Sequence, residues 1–186
     1  MTPTRLAPRD NRLLTSLPGD IADRLKGRMQ LVELNAGATL YDAGTVLRHV
    51  HFPVTAVVSL VSPLQNGSSV EVAVVGREGV AGVCAFMGGG LALSSAVVQH
   101  AGQAWRMRAT DIAELAHEVP LLMQHLLRYT QFLFTHMAQI SVCHRHHSVA
   151  SQLCRWLLQH ADRLDETEMR ITHERIAGML GVRREG

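Results

Sequence analysis

The chain has 186 residues, of which 47 % are hydrophobic and 18 % charged, and its formal net charge is +2. This composition is typical of a folded globular protein with one ordinary domain or two small ones, and it excludes a disordered tail. The small net charge excludes a strong overall field for nucleic acid or an anionic membrane. Three scattered cysteines do not form a disulfide framework, and Met1–Asp20 has no apolar signal segment, so we predict a cytoplasmic protein.

The first part of the chain predicts short helices followed by a β-rich domain. Apolar residues between Leu13 and Leu25 are interrupted by Pro18-Gly19, which limits this region to short helices. Short β-branched runs then recur between about Met29 and Met107, separated by turn signals such as Gln65-Asn66-Gly67-Ser68. We therefore predict a small antiparallel sandwich or barrel rather than parallel βαβ units.

One uncharged stretch, Gly79 to Gln99, has about the length of a membrane span. A triple glycine, Gly88-Gly89-Gly90, lies in its middle and is a turn signal rather than part of a lipid-facing helix. The stretch is therefore predicted to form buried strands and a loop, and no membrane partner is expected.

Helical patterns replace the strands after Thr110. Thr110-Asp111 is predicted to cap a short helix that extends to His117, and Val119-Pro120 to begin a long helix. The long helix has two apolar stripes, which favours two partners: its own domain and the same helix of a second copy. Burial of one helix in a monomer is the alternative. The stripe predicted as the homodimer seam has heptad spacing and contains Leu122, Leu126, Tyr129, Leu133, His136, Ile140 and Cys143.

A break around 143–147 precedes another amphipathic helix, whose shared face contains Val149, Ala150, Leu153, Trp156, Leu157 and Ala161. A polar linker, Asp162 to Met169, leads to the final segment. There Thr172 is placed to cap a helix, Gly181 to form a tight turn, and Arg183 to begin a second helix. This pattern is typical of a helix-turn-helix.

With its elements in this order, the chain resembles the Crp/Fnr superfamily of bacterial transcription regulators. The most specific residues are Ile171-Thr172, Ile176-Ala177 and 181–185, and the resemblance extends from about Asn11 to Gly186. It implies an α+β fold with an antiparallel β-roll of the cyclic-nucleotide-binding type, a double-stranded β-helix. The implied domains are the sensor roll in 1–118, a dimerisation helix and hinge in 119–146, and an incomplete winged helix-turn-helix in 147–186.

The resemblance also implies which residues contact DNA. Arg184 would read guanine O6 and N7, and Glu185 a cytosine amino group. Thr172 and Arg183 would contact phosphates, and His173 belongs to the same predicted DNA-binding set. Because the sequence ends within the first turn of the reading helix, we expect the chain as written to bind DNA poorly.

The effector pocket implied by the resemblance departs from the cyclic-nucleotide pattern. Val83 stands where the family has the glutamate that holds the ribose, and Ser94 or Leu93 where it has the arginine that neutralises the phosphate. Burying a phosphate without a cation is costly, so we predict no tight binding of cyclic AMP or cyclic GMP. The effector is then an unknown small molecule, at a pocket whose positions are Gly82, Val83, Cys84, Ser94 and Ser95.

Two other classes of function remain as alternatives. Cys143 and His147 have a helical i,i+4 spacing that suits zinc or haem, although no cofactor is predicted. The chain would then be a stand-alone sensor module for a small molecule, haem or a metal, without DNA function. A hydrolytic or cupin-like β-roll enzyme is the weaker alternative, because the sequence has neither nucleophile-elbow spacing nor a paired-carboxylate site. We therefore predict that the protein is not an enzyme.

Overall fold

A computed structural model describes residues 11–64, 69–164 and 172–180 of the chain. Two short helices precede the strands, and four helices follow them. The elements are α1 (Arg12–Thr15), α2 (Gly19–Lys26), β1 (Met29–Leu34), β2 (Thr39–Tyr41), β3 (His49–Pro53), β4 (Val57–Pro63), β5 (Ser69–Val75), a 3₁₀ turn (Val83–Ala85), β6 (Ser95–His100), β7 (Gly102–Arg108), α3 (Ala109–Glu118), α4 (Pro120–His146), α5 (Val149–Ala161) and α6 (His173–Leu180).

The strands form two antiparallel sheets, in the orders β1-β7-β3 and β2-β6-β4-β5. Alternating β-branched side chains place one face of each strand in a shared core, which includes Val50, Phe52, Val58, Ala73 and Met107. The β4–β5 register runs from Val58 opposite Val75 to Pro63 opposite Ser69. The predicted turn at 65–68 between these strands lies outside the described residues. The antiparallel β-rich domain and the α+β class are confirmed.

The uncharged stretch from Gly79 to Gln99 forms irregular backbone, the 3₁₀ turn and most of β6, as predicted. Gly88 and Gly90 both have positive φ, which explains why glycines interrupt an otherwise apolar run. Within residues 11–64, 69–164 and 172–180, no helix is long and apolar enough to cross a membrane.

Two strands, β2 and β3, were not predicted. In β3 the sequence His-Val-His-Phe-Pro lacks a β-branched run, yet only 5 % of the His51 surface is exposed. Burial, together with the neighbouring His49 and Arg106, lowers the pKa of His51 to about 4, so this imidazole is neutral near pH 7. A neutral imidazole is what allows a histidine to occupy this position in a sheet.

The two sheets, β1 to β7, together form the roll, and Asn11 attaches the N-terminal helices to it. Its side-chain oxygen accepts a hydrogen bond from the Leu14 N–H at 3.1 Å and thereby caps α1. Its amide nitrogen donates to the carbonyl oxygens of Pro53, at 2.8 Å, and Gly79, at 2.9 Å. A single buried side chain thus joins α1 to β3 and to the turn before the 3₁₀ segment.

The predicted start of α3 is wrong. The helix begins at Ala109, its N-cap is Arg108, and no side chain caps it. Asp111 lies in the first turn, where it accepts a hydrogen bond from Arg108 Nε at 2.9 Å and offsets the positive end of the helix. The helix ends at Glu118, and α4 begins at Pro120 as predicted.

The structure assigns the heptad stripe of α4 to the chain's own core rather than to a seam with a second copy. Leu122, Leu126, Tyr129 and Leu133 are part of the main hydrophobic cluster. Ile140 and Cys143 are also buried, and His136 is half-buried. Because α4 follows the roll directly, it packs this stripe onto β5 and α3. The exposed large apolar residues of α4 are Leu121, Leu127, Phe132, Phe134 and Val142.

The buried face of α5 also differs from the predicted one. The buried side chains are Gln152, Trp156 and His160, at i,i+4 spacing, whereas Val149 and Leu157 of the predicted face are exposed. Trp156 belongs to both faces; Gln152 is buried because its Nε2 donates to the His147 carbonyl at 2.9 Å, and His160 because it lies beside Glu71 of β5. The residue boundaries of α3, α4 and α5 fall near 118 and 147, and the division into three domains stays a prediction.

Candidate functional site

A cavity of about 50 Å³ lies between the roll and α4. The turn at Gly82 forms one wall, and the C-terminal half of α4 forms another. Gly82 has a φ of 103°, and a Cβ atom there would lie 3.2 Å from Val50 Cγ1, so this tight turn favours glycine. The lining residues are Tyr41, Leu47, Leu60, Val80, Gly82, Val83, Cys84, Ala92, Leu93, Ser94, Leu133, Phe134 and Met137.

The chemistry of this cavity is apolar. None of the described residues that line it carries a charged side chain. Burial raises the pKa of Tyr41 above its usual range, with a smaller contribution from Cys84, so its phenol stays neutral. A phosphate placed here would lose its hydration without gaining a cation, and burying such a charge is costly. The geometry therefore suits a small uncharged group.

Four of the five predicted pocket positions, Gly82, Val83, Cys84 and Ser94, line the cavity. Ser95 does not: its hydroxyl accepts a hydrogen bond from the Ala43 N–H at 2.9 Å and holds the loop after β2. The prediction missed Tyr41 and the residues that α4 contributes. Phe134 and Met137 belong to the second apolar stripe of α4, and this stripe could have indicated that they contact another part of the protein.

Glu78 lies shortly after β5, and its carboxylate is paired with groups outside the cavity. Its Oε1 accepts hydrogen bonds from Arg163 Nε at 2.7 Å and from the Gly76 N–H at 3.2 Å. Arg163 Nη1 also donates to the Gln159 carbonyl at 2.6 Å. This ion pair joins the roll to the turn after α5, so the Glu78 carboxylate is already paired with a cation outside the cavity.

The described part of the predicted DNA-binding segment is α6. It begins directly after Thr172, whose carbonyl accepts a hydrogen bond from the Ile176 N–H at 3.1 Å, and Thr172 is exposed. His173 is the first residue of the helix. Arg183, Arg184 and Glu185 lie outside the described residues, so the turn and the second helix stay predictions.

The candidate metal ligands Cys143 and His147 occupy the end of α4. Cys143 is buried, and its sulfur accepts a hydrogen bond from Gln139 Nε2 at 3.5 Å. His147 is the C-cap residue, and its N–H donates to the Cys143 carbonyl at 3.0 Å. In the part of the chain that the structure describes, no group of three or more His, Cys, Asp or Glu residues is arranged to hold a metal ion.

Residues 31–118 match the family model of the cyclic nucleotide-binding domain. The match begins within β1 and ends at the last residue of α3, so it includes both sheets and the predicted pocket positions. No curated protein matches the chain by sequence.

Solved structures of bacterial regulators share the fold over most of the chain. A putative transcriptional regulator of the crp/fnr family from Eubacterium rectale has a TM-score of 0.76 at 12 % identity, and the match covers 93 % of this chain and 81 % of that one. FixK2 from Bradyrhizobium japonicum has a TM-score of 0.72 at 15 % identity, with 84 % and 79 % covered. The c-di-GMP responsive global regulator CLP from Xanthomonas campestris has a TM-score of 0.71 at 11 % identity, with 90 % and 87 % covered. At these identities the similarity shows a common fold.

Proposed function

We propose that this chain, whose residues 31–118 form a cyclic nucleotide-binding domain, belongs to a cytoplasmic DNA-binding transcription regulator of the Crp/Fnr type. The observation that carries the proposal is the arrangement of roll, long helix and C-terminal helices. Three bacterial regulators share it across 84–93 % of this chain. A β-roll enzyme would instead need polar catalytic groups in the cavity, and the cavity is apolar.

In this proposal the C-terminal segment reads an operator. Arg184 and Glu185 contact base edges in the major groove, and Arg183, Thr172 and His173 contact the backbone. A stand-alone sensor without DNA function is the second candidate, and the α4–α5 groove with Cys143 and His147 is the feature that favours it.

Selection of duplexes from a random DNA pool by the full-length protein tests the proposal. We expect a palindromic consensus, because a two-fold dimer reads two equivalent half-sites. Arg184→Ala should cost about 1–3 kcal/mol and relax base preference at one position, whereas Arg183→Ala should weaken all sequences equally. Arg145→Ala, at an exposed arginine in the last turn of α4, is the matched control and should change neither. Recovery of no consensus sequence would contradict the proposal.

We further propose that the dimer forms through the exposed face of α4. At 100° per residue, Leu127, Phe134, Ala138 and Val142 lie on one side of the helix, opposite the stripe that packs on the roll. All four are exposed within one protomer. Phe134 also lines the cavity, so a ligand that moved its ring would act directly on the proposed interface.

The effector of the proposed regulator is a small uncharged molecule rather than a cyclic nucleotide. Titration calorimetry with cyclic AMP and cyclic GMP should detect no micromolar binding, because the cavity supplies no cation to either phosphate. A micromolar dissociation constant for either nucleotide would refute this part of the proposal. A Val83→Trp variant, which fills the cavity, gives the reference for signals that arise elsewhere on the protein.

A further inference from the structure

A buried polar cluster joins the roll to α5. Glu71 of β5 is 3 % exposed, Trp156 is 1 % exposed and His160 is fully buried. The Ser59 hydroxyl donates a hydrogen bond to Glu71 Oε2 at 2.5 Å, and His160 Nε2 lies 3.7 Å from the same oxygen. Trp156 stacks on the His160 ring, with 3.8 Å between the ring centroids. The first helix after α4 is therefore held on the roll by a carboxyl, an imidazole and an indole.

Other charged and titratable groups surround this cluster. From β6, the His100 ring lies 5.8 Å from the His160 ring, centroid to centroid. Arg155 of α5 and Arg163 of the turn after it both act on Glu71, and Arg163 is itself paired with Glu78.

From α4, two histidines contact the same helix. His136 Nε2 lies 2.7 Å from Gln159 Nε2, and His144 Nε2 lies 3.5 Å from Arg155 Nη2. Burial lowers the pKa of both histidines, so near neutral pH they add little positive charge to the surroundings of Glu71.

Within this cluster, the carboxyl of Glu71 has a pKa close to neutral pH. Burial raises its pKa from 4.5 to about 7, and the Ser59 hydroxyl partly offsets this effect by donating to the carboxylate. The Trp156 indole nitrogen also lowers the pKa of Glu71, although it lies outside the geometry of a full hydrogen bond. A protonated Glu71 brings no charge of its own into the buried contact with His160 and Trp156.

We propose that the contact between Glu71 and the Trp156–His160 stack is a proton-dependent latch, which holds α5 on the roll and loosens when Glu71 loses its proton. The docking itself does not depend on DNA. Its consequence rests on the proposed function: since α5 leads into the helix-turn-helix segment, the latch sets how firmly the DNA-reading part is oriented.

The direction of the pH response follows from the two states of Glu71. When α5 is not docked, water surrounds the Glu71 carboxyl, which then ionises with its ordinary pKa. Docking of α5 raises the pKa of Glu71. Docked protein therefore binds more protons at this site, and docking weakens as pH rises through the docked pKa. His160 Nε2 lies 3.7 Å from Glu71 Oε2, so variants at each position are needed to assign the response.

Fluorine NMR of the chain labelled with 5-fluorotryptophan tests the latch directly. The protein has only two tryptophans, and Trp105→Phe assigns their resonances. We expect the Trp156 resonance to titrate with a midpoint near pH 7 and the Trp105 resonance to stay constant. Glu71→Gln should abolish the titration, and His160→Gln should retain it. Glu33→Gln, an exposed carboxyl on β1, is the matched control and should leave it unchanged.

Two further measurements keep the test independent of one variant. Ser59→Ala removes the hydroxyl that favours the ionised carboxyl, so the midpoint should move to higher pH. At pH 8 the undocked and docked pKa values of Glu71, 4.5 and about 7, differ by about 2.5, so amides of residues 149–161 should exchange about 300-fold faster in wild type than in Glu71→Gln.

A Trp156 resonance that is constant from pH 5.5 to 8.5 would overturn the proposal, as would the same titration in Glu71→Gln or equal exchange at pH 8. These outcomes leave the DNA selection untouched, and failure to select DNA leaves the tryptophan titration intact. The two proposals therefore fail separately.

Discussion

Gly79 and Tyr129 provide a sharp test of how α4 packs on the roll. A Cβ atom at Gly79 would lie 2.1 Å from Cε2 and Cζ of Tyr129 and 2.2 Å from its hydroxyl oxygen. Tyr129 is buried on α4 and is part of the main core, so displacing its ring would break the packing of α4 on the roll. Gly79→Ala should therefore force either the turn or α4 to shift.

The expected cost follows from this overlap. Overpacking a core usually costs about 1–3 kcal/mol, and we place Gly79→Ala at the upper end, about 3 kcal/mol, because the clash involves a buried ring. Tyr129→Ala should cost about 4 kcal/mol through the cavity that it leaves. The double variant should also cost about 4 kcal/mol, since the new methyl group no longer meets the ring. The coupling free energy between the two sites is then about 3 kcal/mol.

Urea unfolding followed by circular dichroism gives these free energies for each variant. Gly19→Ala is the matched control, because no atom lies within 4 Å of the added Cβ at that position. It should stay within about 0.5 kcal/mol of wild type. A similarly small effect for Gly79→Ala, or additive costs in the double variant, would show that α4 does not sit against this turn as described.

Two other predictions concern the sheet and the assembly. Between pH 7 and pH 4, His51→Gln should lose about 3 kcal/mol less of its free energy of unfolding than wild type loses, because unfolded His51 binds a proton at its ordinary pKa of 6.5 and the folded residue only near 4. Urea unfolding at both pH values measures this, with the exposed His117→Gln as control, and equal pH dependence in the two variants would refute it. Replacing Leu127 and Phe134 together by Asp should give a monomer in sedimentation velocity, whereas Phe132→Asp, exposed on another side of α4, should not; a dimer that persists in the double variant would place the interface elsewhere.

The strands and the long helix could be predicted because their signals are local. β-branched runs between turn residues indicated β1, β4, β5 and β6, the short Ala104–Met107 run after a glycine indicated β7, and the absence of glycine and proline from Leu121 to His144 indicated α4. β3 was not predicted because it contains two histidines and a proline, and its place in the sheet depends on a neutral buried imidazole. Local sequence does not show that a histidine will be neutral.

The faces of α4 and α5 could not be predicted, since they depend on partners distant in sequence. Both stripes of α4 are apolar, so periodicity alone does not say which one the roll covers. In α5, the predicted face contained Trp156, which is buried, but its other members did not indicate that His160 is buried next to Glu71. The same limit applies to the cavity, where the family resemblance implied Val83 and Cys84 but gave no signal for Tyr41.

Asn11 has a consequence for the order in which the chain folds. Its amide bonds close loops of 42 and 68 residues, so they form only after β3 and the Gly79 turn are in place. Interactions that form after the transition state slow unfolding without speeding folding. We expect Asn11→Ala to lower the free energy of unfolding by about 2 kcal/mol. In stopped-flow experiments the unfolding rate should rise about thirtyfold and the refolding rate should stay nearly constant. Slower refolding with an unchanged unfolding rate would contradict this prediction. The N-terminal helices would then act as a kinetic clasp, which sets the lifetime of the folded roll rather than its rate of formation.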